Sequence, residues 1–217
     1  MLEVSRRKSY DDFREESDYS WPIYVQEASR ILQRLTPQGL RRASVHPDGF
    51  LKLSIGPDNG VLDGQVRLHF WIPGRAGTRQ PHGHPWHLAS LVLAGTYNEY
   101  LPDLRATDSG RLRKFKVLYP PKKDERAGVH QVGTDVFESE PGPLYRTSKG
   151  GTHYLPAGPI HMSAPDISGG ITLAVMSPRF KNEAYFFAPD STPYSETIEP
   201  HDIEAIMEMV AVVRSDP

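Results

Sequence analysis

Apolar and polar residues alternate over short stretches between residues 49 and 190, as they do along half-buried β-strands. The pattern predicts strands at 50–55, 66–72, 88–100 (interrupted at Gly95), 114–119, 135–138, 152–155, 160–163, 171–176 and 184–187. Turn residues separate these stretches at close to the spacing of about 8–12 residues typical of a sandwich or barrel. Because no helical pattern of useful length lies between them, the strands are expected to be antiparallel.

Helical periodicity is confined to the two ends of the chain. Near the N-terminus, Ser20 is predicted to cap a helix that has Pro22 in its first turn and is ended by Pro37 and Gly39, while residues 9–18 are predicted to fray. Near the C-terminus, a helix is predicted to start at Pro200 and to carry one apolar stripe, formed by Ile203, Ile206, Met207 and Val210.

These patterns divide the chain into three predicted segments. Residues 1–47 form an N-terminal helical segment, and residues 48–190 form a β-barrel. Residues 191–217 contain the C-terminal helix, which is expected to pack on the barrel or on a partner subunit.

The composition is that of an ordinary globular domain, with 217 residues of which 38% are hydrophobic and 24% charged. The complete lack of cysteine excludes a disulfide scaffold, a thiolate metal site and a cysteine nucleophile. A net charge of -2 leaves no basic excess for phosphates, so a nucleic-acid partner is not expected. With no signal-like N-terminus and no apolar run near the roughly 20 residues of a membrane span, we expect a cytoplasmic protein without a membrane partner.

Three of the nine histidines lie within six residues, at His82, His84 and His87. Two histidines two positions apart on an extended strand point to the same face, which is the geometry that two imidazole ligands of one metal need. A surface pair or a hydrogen-bonded core pair fits the spacing of His82 and His84 equally well. A second segment, 150–161, is typical of a strand, a tight turn and a second strand that opens with His161.

Together these two segments resemble the two sequence motifs of the cupin superfamily. The second motif, Gly-x5-Pro-x-Gly-x2-His, is matched by Gly150, Pro156, Gly158 and His161. In the first motif, the His-x-His pair is matched by His82 and His84 and the closing glycine by Gly95. The usual glutamate ligand is absent, because Leu88 or Ala89 stands at its position.

The resemblance implies a mainly β fold: the cupin double-stranded β-helix, or jelly-roll barrel, with an N-terminal helical segment and a C-terminal helix. It also implies a metal site made of His82, His84 and His161, similar to the three-histidine subset that includes the thiol dioxygenases. Fe(II) is the expected metal, and Zn, Ni or Mn are the alternatives, since imidazole accepts several metals. Three neutral ligands leave positions open for a small organic substrate and O₂. Family members are often homodimers, which is the expectation for oligomeric state.

Two residues near the motifs are candidate catalytic residues. His87 is either a fourth ligand, a pocket residue that transfers protons, or a histidine packed beside Trp86. Tyr154 offers a phenolic donor or acid, as does Tyr97, although tyrosines at such positions are more often core or rim residues.

Strand alternation supplies the candidate substrate-binding residues: His69, Trp71, Ser90 and Tyr97. Arg67 shares the face of His69 and Trp71, and would offer a cation to an anionic substrate if that face points inward. If the face points outward, Arg67 meets solvent or a partner subunit. No role is assigned to His46, His130 or His201.

The leading hypothesis is a mononuclear non-haem iron dioxygenase or other oxygenase that acts on a small organic molecule. One alternative is an isomerase, lyase or hydrolase that uses Zn, Ni or Mn on the same scaffold. Another is a cupin that binds a metal or small ligand without catalysis, because a fold does not determine a function.

Overall fold

The computed structural model describes residues 9–46, 48–55, 65–75, 80–119, 128–189 and 198–215. Helices α1 (Tyr10–Arg34) and α2 (Pro37–Leu40) open the described chain, and helix α3 (Pro200–Ser215) closes it. The strands between them are β1 (Ser44–Val45), β2 (Leu51–Ser54), β3 (Gln65–Trp71), β4 (Leu88–Tyr100), β5 (Asp103–Ala106), β6 (Leu112–Leu118), β7 (Gly128–Glu140), β8 (Leu144–Ser148), β9 (Thr152–Leu155), β10 (Met162–Met176) and β11 (Glu183–Ala188). The prediction of a mainly β chain with terminal helices is confirmed.

The strands form two antiparallel sheets. The larger runs β1-β2-β3-β10-β4-β8, with β9 also paired to β4, and the smaller runs β11-β6-β7-β5. Residues 170–176 of β10 lie between β3 and the first half of β4, which in turn pairs with β9. The other end of β10 pairs with the second half of β4, which pairs with β8, while His161 bridges to His82. The strands that pair at the two ends of β10 form the two layers of a jelly roll, so the fold is the predicted double-stranded β-helix.

Gly95 marks the point where β4 passes from one layer to the other. Its φ is 70°, and a Cβ placed there would lie 2.1 Å from the carbonyl oxygen of Gly169, whose own φ is 68°. The pairing of β4 with β10 shifts register at the same place. The predicted interruption at Gly95 is therefore a bulge inside one continuous strand, where two backbones approach too closely for a side chain.

Strands β5, β6 and β7 are inserted between β4 and β8 and extend the structure on the side of the first histidine motif. The link is β11, which pairs with β6 and also bonds the motif segment: Gly83 N donates to Tyr185 O at 2.8 Å, and Phe187 N donates to Pro81 O at 2.8 Å. The smaller sheet therefore lies against the segment that carries His82 and His84.

One face of the larger sheet contacts helices, and the other face borders a cavity. One face packs against α1 and α3 in the main hydrophobic core, to which the sheet contributes Leu51, Leu68, Phe70, Ala89, Ile171, Leu173 and Val175. The alternate residues of the same strands point to the other side and line a cavity. Alternation along each strand thus divides its residues between the helix-packed core and the cavity.

Helix α1 begins earlier than the prediction of a cap at Ser20. Ser9 is the N-cap: its hydroxyl accepts from Asp12 N at 3.1 Å, and the Asp12 carboxylate accepts from Ser9 N at 3.1 Å. The turns predicted to fray are helical because Phe13 and Ser17 are buried against the sheet side of the molecule. Pro22 consequently lies inside the helix instead of in its first turn.

The C-terminal helix α3 agrees with its prediction, since it starts at Pro200 and buries Ile206 and Val210. It contacts α1, α2 and β4, and the Arg214 guanidinium donates to the carbonyls of Leu32 and Leu35 at the end of α1. Within the described ranges, no helix combines the length and the hydropathy that crossing a bilayer requires. Residues 47, 190 and 191, where the predicted segments meet, lie outside the described ranges.

Candidate metal centre

Three histidines that are far apart in the sequence converge at one end of the cavity. His82, His84 and His161 each offer a ring nitrogen, and these atoms all lie within 4.8 Å of one another. A two-way backbone bridge sets their spacing: His82 N donates to His161 O at 2.9 Å, and His161 N donates to His82 O at 2.8 Å. Gly158 N, in the tight turn of the second motif, donates to His84 O at 2.9 Å. Both sequence motifs therefore build the same site.

The outer nitrogens of two of these rings are already engaged. His82 Nδ1 lies 2.8 Å from the Gln80 carbonyl, so it carries a proton and leaves Nε2 with a lone pair. His161 Nδ1 bonds to the Glu99 carboxylate, and His161 Nε2 is buried with no hydrogen-bond partner among the described residues. A buried nitrogen with an unused lone pair is costly, and a bound metal ion would satisfy it. The donor set of three imidazoles fits a divalent transition metal.

Electrostatics keep these rings in the form that binds metal. Burial holds the pKa of His161 well below its ordinary value, and the neighbouring His82 and His153 lower it further. Burial also holds the pKa of His84 well below its ordinary value, with His161 and His82 as the next causes. Both imidazoles are therefore neutral near pH 7, and metal binding there displaces no proton from them.

Glu99 is the buried carboxylate behind His161. It receives hydrogen bonds from the Tyr97 hydroxyl and, at 3.0 Å, from the Ser163 hydroxyl, and His153 Nε2 lies 3.9 Å away. Burial raises the pKa of Glu99 to about 7, against the opposing effect of His153 and the two hydroxyls. The network fixes the rotation of the His161 ring and directs its Nε2 toward the other two histidines.

A second carboxylate, that of Asp48, lies behind His82. Its Oδ2 is 3.8 Å from both His82 Nδ1 and His46 Nδ1, and burial raises the pKa of Asp48 to about 6. The His46 ring stacks on Phe50 with centroids 4.3 Å apart and lies 5.5 Å from the His82 ring. His46, to which the sequence analysis assigned no role, thus forms part of the cavity wall.

The cavity beside the three histidines has a volume of about 360 Å³. All four predicted substrate-binding residues line it, namely His69, Trp71, Ser90 and Tyr97. Much of the wall is aromatic: ring centroids are 4.2 Å apart for Phe50 and Trp71 and 5.2 Å apart for Trp71 and Tyr97. Arg67 also lines the cavity, so the inward alternative for its strand face is the one observed.

The two candidate catalytic residues, His87 and Tyr154, lie on the other face of the sheet. His87 Nδ1 accepts from Ala157 N at 2.9 Å, and its ring packs against Phe180, with centroids 4.3 Å apart, and against two residues of α1. The Tyr154 hydroxyl donates to Asp18 of α1. The reason is alternation, because Leu88 and Leu155 face the cavity side and their neighbours must face away. Neither residue lines the cavity, and we propose no catalytic role for either.

Sequence reasoning missed Glu99 and Asp48, and also Lys52, which lines the cavity. Alternation could have found two of them, because Glu99 continues the face of Tyr97 and Lys52 alternates with the buried Leu51. Nothing local marks Asp48, which lies in the turn before β2.

Comparisons with known proteins give distant likenesses only. No family model matches the chain, and no curated protein matches it. Among solved structures, the chain is similar to an RmlC-like cupin from Shewanella frigidimarina, with 12% identity, a TM-score of 0.34 and coverage of 63% of this chain and 82% of that one. It is also similar to KdgF from Halomonas sp., with 17% identity, a TM-score of 0.34 and coverage of 63% and 84%. A hydroquinone 1,2-dioxygenase solved with Cd²⁺ and 4-hydroxybenzonitrile shows 17% identity, a TM-score of 0.33 and coverage of 62% and 66%. At these TM-scores the likenesses carry no conclusion about function, and the fold follows from the strand order.

Proposed function

We propose that this chain is a metal-dependent cupin enzyme, and specifically a mononuclear non-haem Fe(II) dioxygenase or oxygenase that acts on a small organic substrate. The observation that supports it is that three imidazoles converge at the wall of a cavity of about 360 Å³. One of their nitrogens, His161 Nε2, is buried and has no hydrogen-bond partner among the described residues. In the proposal, His82, His84 and His161 hold the metal. No described carboxylate belongs to the group of three ligands.

The described residues have distinct tasks in this proposal. Gln80 and Glu99 fix the tautomers of His82 and His161, so that each presents Nε2 to the metal. The aromatic wall formed by Phe50, Trp71 and Tyr97 excludes water from the substrate and orients it. When bound, a ferrous ion supplies the one-electron and O₂ chemistry that amino-acid side chains lack.

The test of the metal assignment is the metal content of protein purified without chelators. We expect close to one equivalent of a divalent transition metal in the wild-type protein and little in His161→Ala. The matched control is His130→Ala, because His130 is exposed on β7 and is not among the residues that line the cavity. A His161→Ala protein that folds and retains full metal occupancy would show that the ligand assignment is wrong.

The test of the reaction class is O₂ consumption by the iron-loaded protein in the presence of candidate small organic substrates. Substrate-dependent O₂ uptake supports an oxygenase. Turnover without O₂ uptake by the Zn, Ni or Mn form supports an isomerase, lyase or hydrolase instead. Tight ligand retention without turnover under any metal or oxidant supports a cupin that only binds.

A further inference from the structure

The three histidine rings of the candidate metal centre are held in different ways. His82 Nδ1 bonds to the Gln80 carbonyl, and His161 Nδ1 bonds to the Glu99 carboxylate. Among the described residues, none forms a hydrogen bond with the His84 ring. A metal-binding imidazole usually has its second nitrogen hydrogen-bonded to a protein acceptor, which sets the rotation of the ring. The rotation of the His84 ring must therefore be set by another kind of contact.

The indole of Trp86 lies flat against the His84 ring. The two ring centroids are 5.2 Å apart, and the angle between the ring planes is 16°, which is an offset stack. The rings of His82 and His161 instead lie edge-on to His84, at 79° and 63°. Because an imidazole packed face to face against a larger ring cannot turn without colliding with it, the stack with Trp86 restricts the rotation of His84.

The indole of Trp86 is itself held in place. The ring of Tyr119 lies edge-on to it, with centroids 5.7 Å apart. On the cavity side of the larger sheet, the indole packs against a cluster of buried apolar residues, which are Leu88, Leu155, Ala174 and Met176. Trp86 Nε1 is buried and has no hydrogen-bond partner among the described residues. Since a buried N–H without an acceptor is destabilising, Trp86 contributes through the face of its ring and not through a hydrogen bond.

We propose that Trp86 is a positioning residue of the metal centre, which fixes the rotation of His84 by stacking where His82 and His161 are fixed by hydrogen bonds. The inference rests on the metal assignment in the proposed function. Trp86 acts on the metal only through the His84 ring, so it is not a catalytic residue. A flat side chain at position 86 should therefore preserve metal affinity, whereas a flexible apolar one should not.

Metal affinity tests the role of the ring. The affinity for Zn²⁺ is measured by competition with a chromogenic chelator. Trp86→Met fills much of the same space with a flexible chain and should weaken Zn²⁺ binding about tenfold, the lower end of the usual loss when a supporting contact is removed. Trp86→Phe keeps a flat ring and should remain within about threefold of the wild-type affinity. Equal affinity in Trp86→Met and wild type would overturn the proposal, as would an equal loss in both variants.

The matched control is Trp21→Met. It removes an indole of α1 whose N–H donates to the Tyr154 hydroxyl at 3.3 Å, on the helix-packed side of the sheet, and it should leave Zn²⁺ affinity unchanged. Should Trp86→Met fail to fold, Tyr119→Leu removes the ring that holds the indole from its edge. This variant should weaken Zn²⁺ binding at least about threefold, and unchanged binding would overturn the proposal.

A second measurement needs no metal. In the metal-free protein, the ring current of the stacked indole shifts the ring protons of His84 upfield. NMR should show these signals moving downfield in Trp86→Met by more than those of His161, and His84 signals that stay in place would refute the stack. A wild-type protein that binds neither Zn²⁺ nor Fe²⁺ would refute the metal assignment and the proposed function. A wild-type protein that binds metal no more tightly than Trp86→Met would refute the positioning role alone.

Discussion

Lys52 should lower the stability of the ligand-free protein near neutral pH. Its pKa falls from the ordinary 10.5 to about 8, first because of burial and then because of Arg67. At about 1.4 kcal/mol for each tenfold change in proton affinity, this difference corresponds to roughly 3 kcal/mol. Replacing Lys52 with Met keeps a stem of similar length and removes the charge, so Lys52→Met should raise the free energy of unfolding at pH 7 by up to roughly 3 kcal/mol.

The pH dependence gives the sign of this effect. Below pH 8 the side chain is charged in the folded and the unfolded chain, and the full penalty is present. Between pH 8 and 10.5 the folded chain has lost the proton while the unfolded chain keeps it, so the stability of the wild-type protein rises with pH. The advantage of Lys52→Met over wild type should therefore shrink by about 2 kcal/mol between pH 7 and pH 9.5.

Urea denaturation followed by tryptophan fluorescence at pH 7 and pH 9.5 measures how much the stability difference between Lys52→Met and wild type changes with pH. The control is Lys181→Met, because Lys181 is exposed and its ammonium is hydrated in both states. The stability of Lys181→Met relative to wild type should be the same at both pH values. A difference for Lys52→Met that is also independent of pH would show that the Lys52 ammonium is fully hydrated in the folded protein and would refute the reasoning.

Three further changes test the site and the fold. Glu99→Gln replaces the carboxyl group behind His161 with an amide and should weaken metal binding about 10- to 100-fold, measured by competition with a chromogenic chelator; unchanged affinity would contradict the positioning role. Gly95→Ala places a Cβ 2.1 Å from the Gly169 carbonyl at a φ of 70° and should cost at least about 1–3 kcal/mol in chemical denaturation, whereas wild-type stability would argue against the bulge. Ser9→Ala should cost about 1 kcal/mol and Ser9→Asp much less, since only the first loses the capping oxygen; equal losses would argue against the cap.

The strands with one buried face could be predicted from sequence, because burial of one face requires apolar and polar residues to alternate along the strand. Strand β3 is the example, where Leu68 and Phe70 face the helices while Arg67 and His69 face the cavity. Strand β8 was missed because four of its five residues are exposed and it carries no such contrast. The true start of α1 was missed because the residues after Ser9 are mostly polar and become helical through their packing.

The cluster of three histidines was predictable from its two motifs, whereas the residues that surround it were not. Alternation also shows why His87 and Tyr154 were poor candidates, since each precedes a leucine that faces the cavity side. Asp48 and His46 approach the site from a turn, and a turn has no periodicity from which direction can be read. The missing information in each case is a contact between distant segments, which only the fold supplies.

One face of the larger sheet packs against helices and stabilises the fold, whereas the other face lines the cavity, where a ligand would be selected. Half of the buried apolar residues of β3, β4 and β10 belong to the core that packs on α1 and α3, and neighbouring positions on the same strands face the opposite way. A library that randomises positions such as His69 and Ser90 can therefore explore new ligand preferences while leaving the helix-packed layer intact. The scaffold is for this reason a suitable starting point for directed evolution of binding specificity.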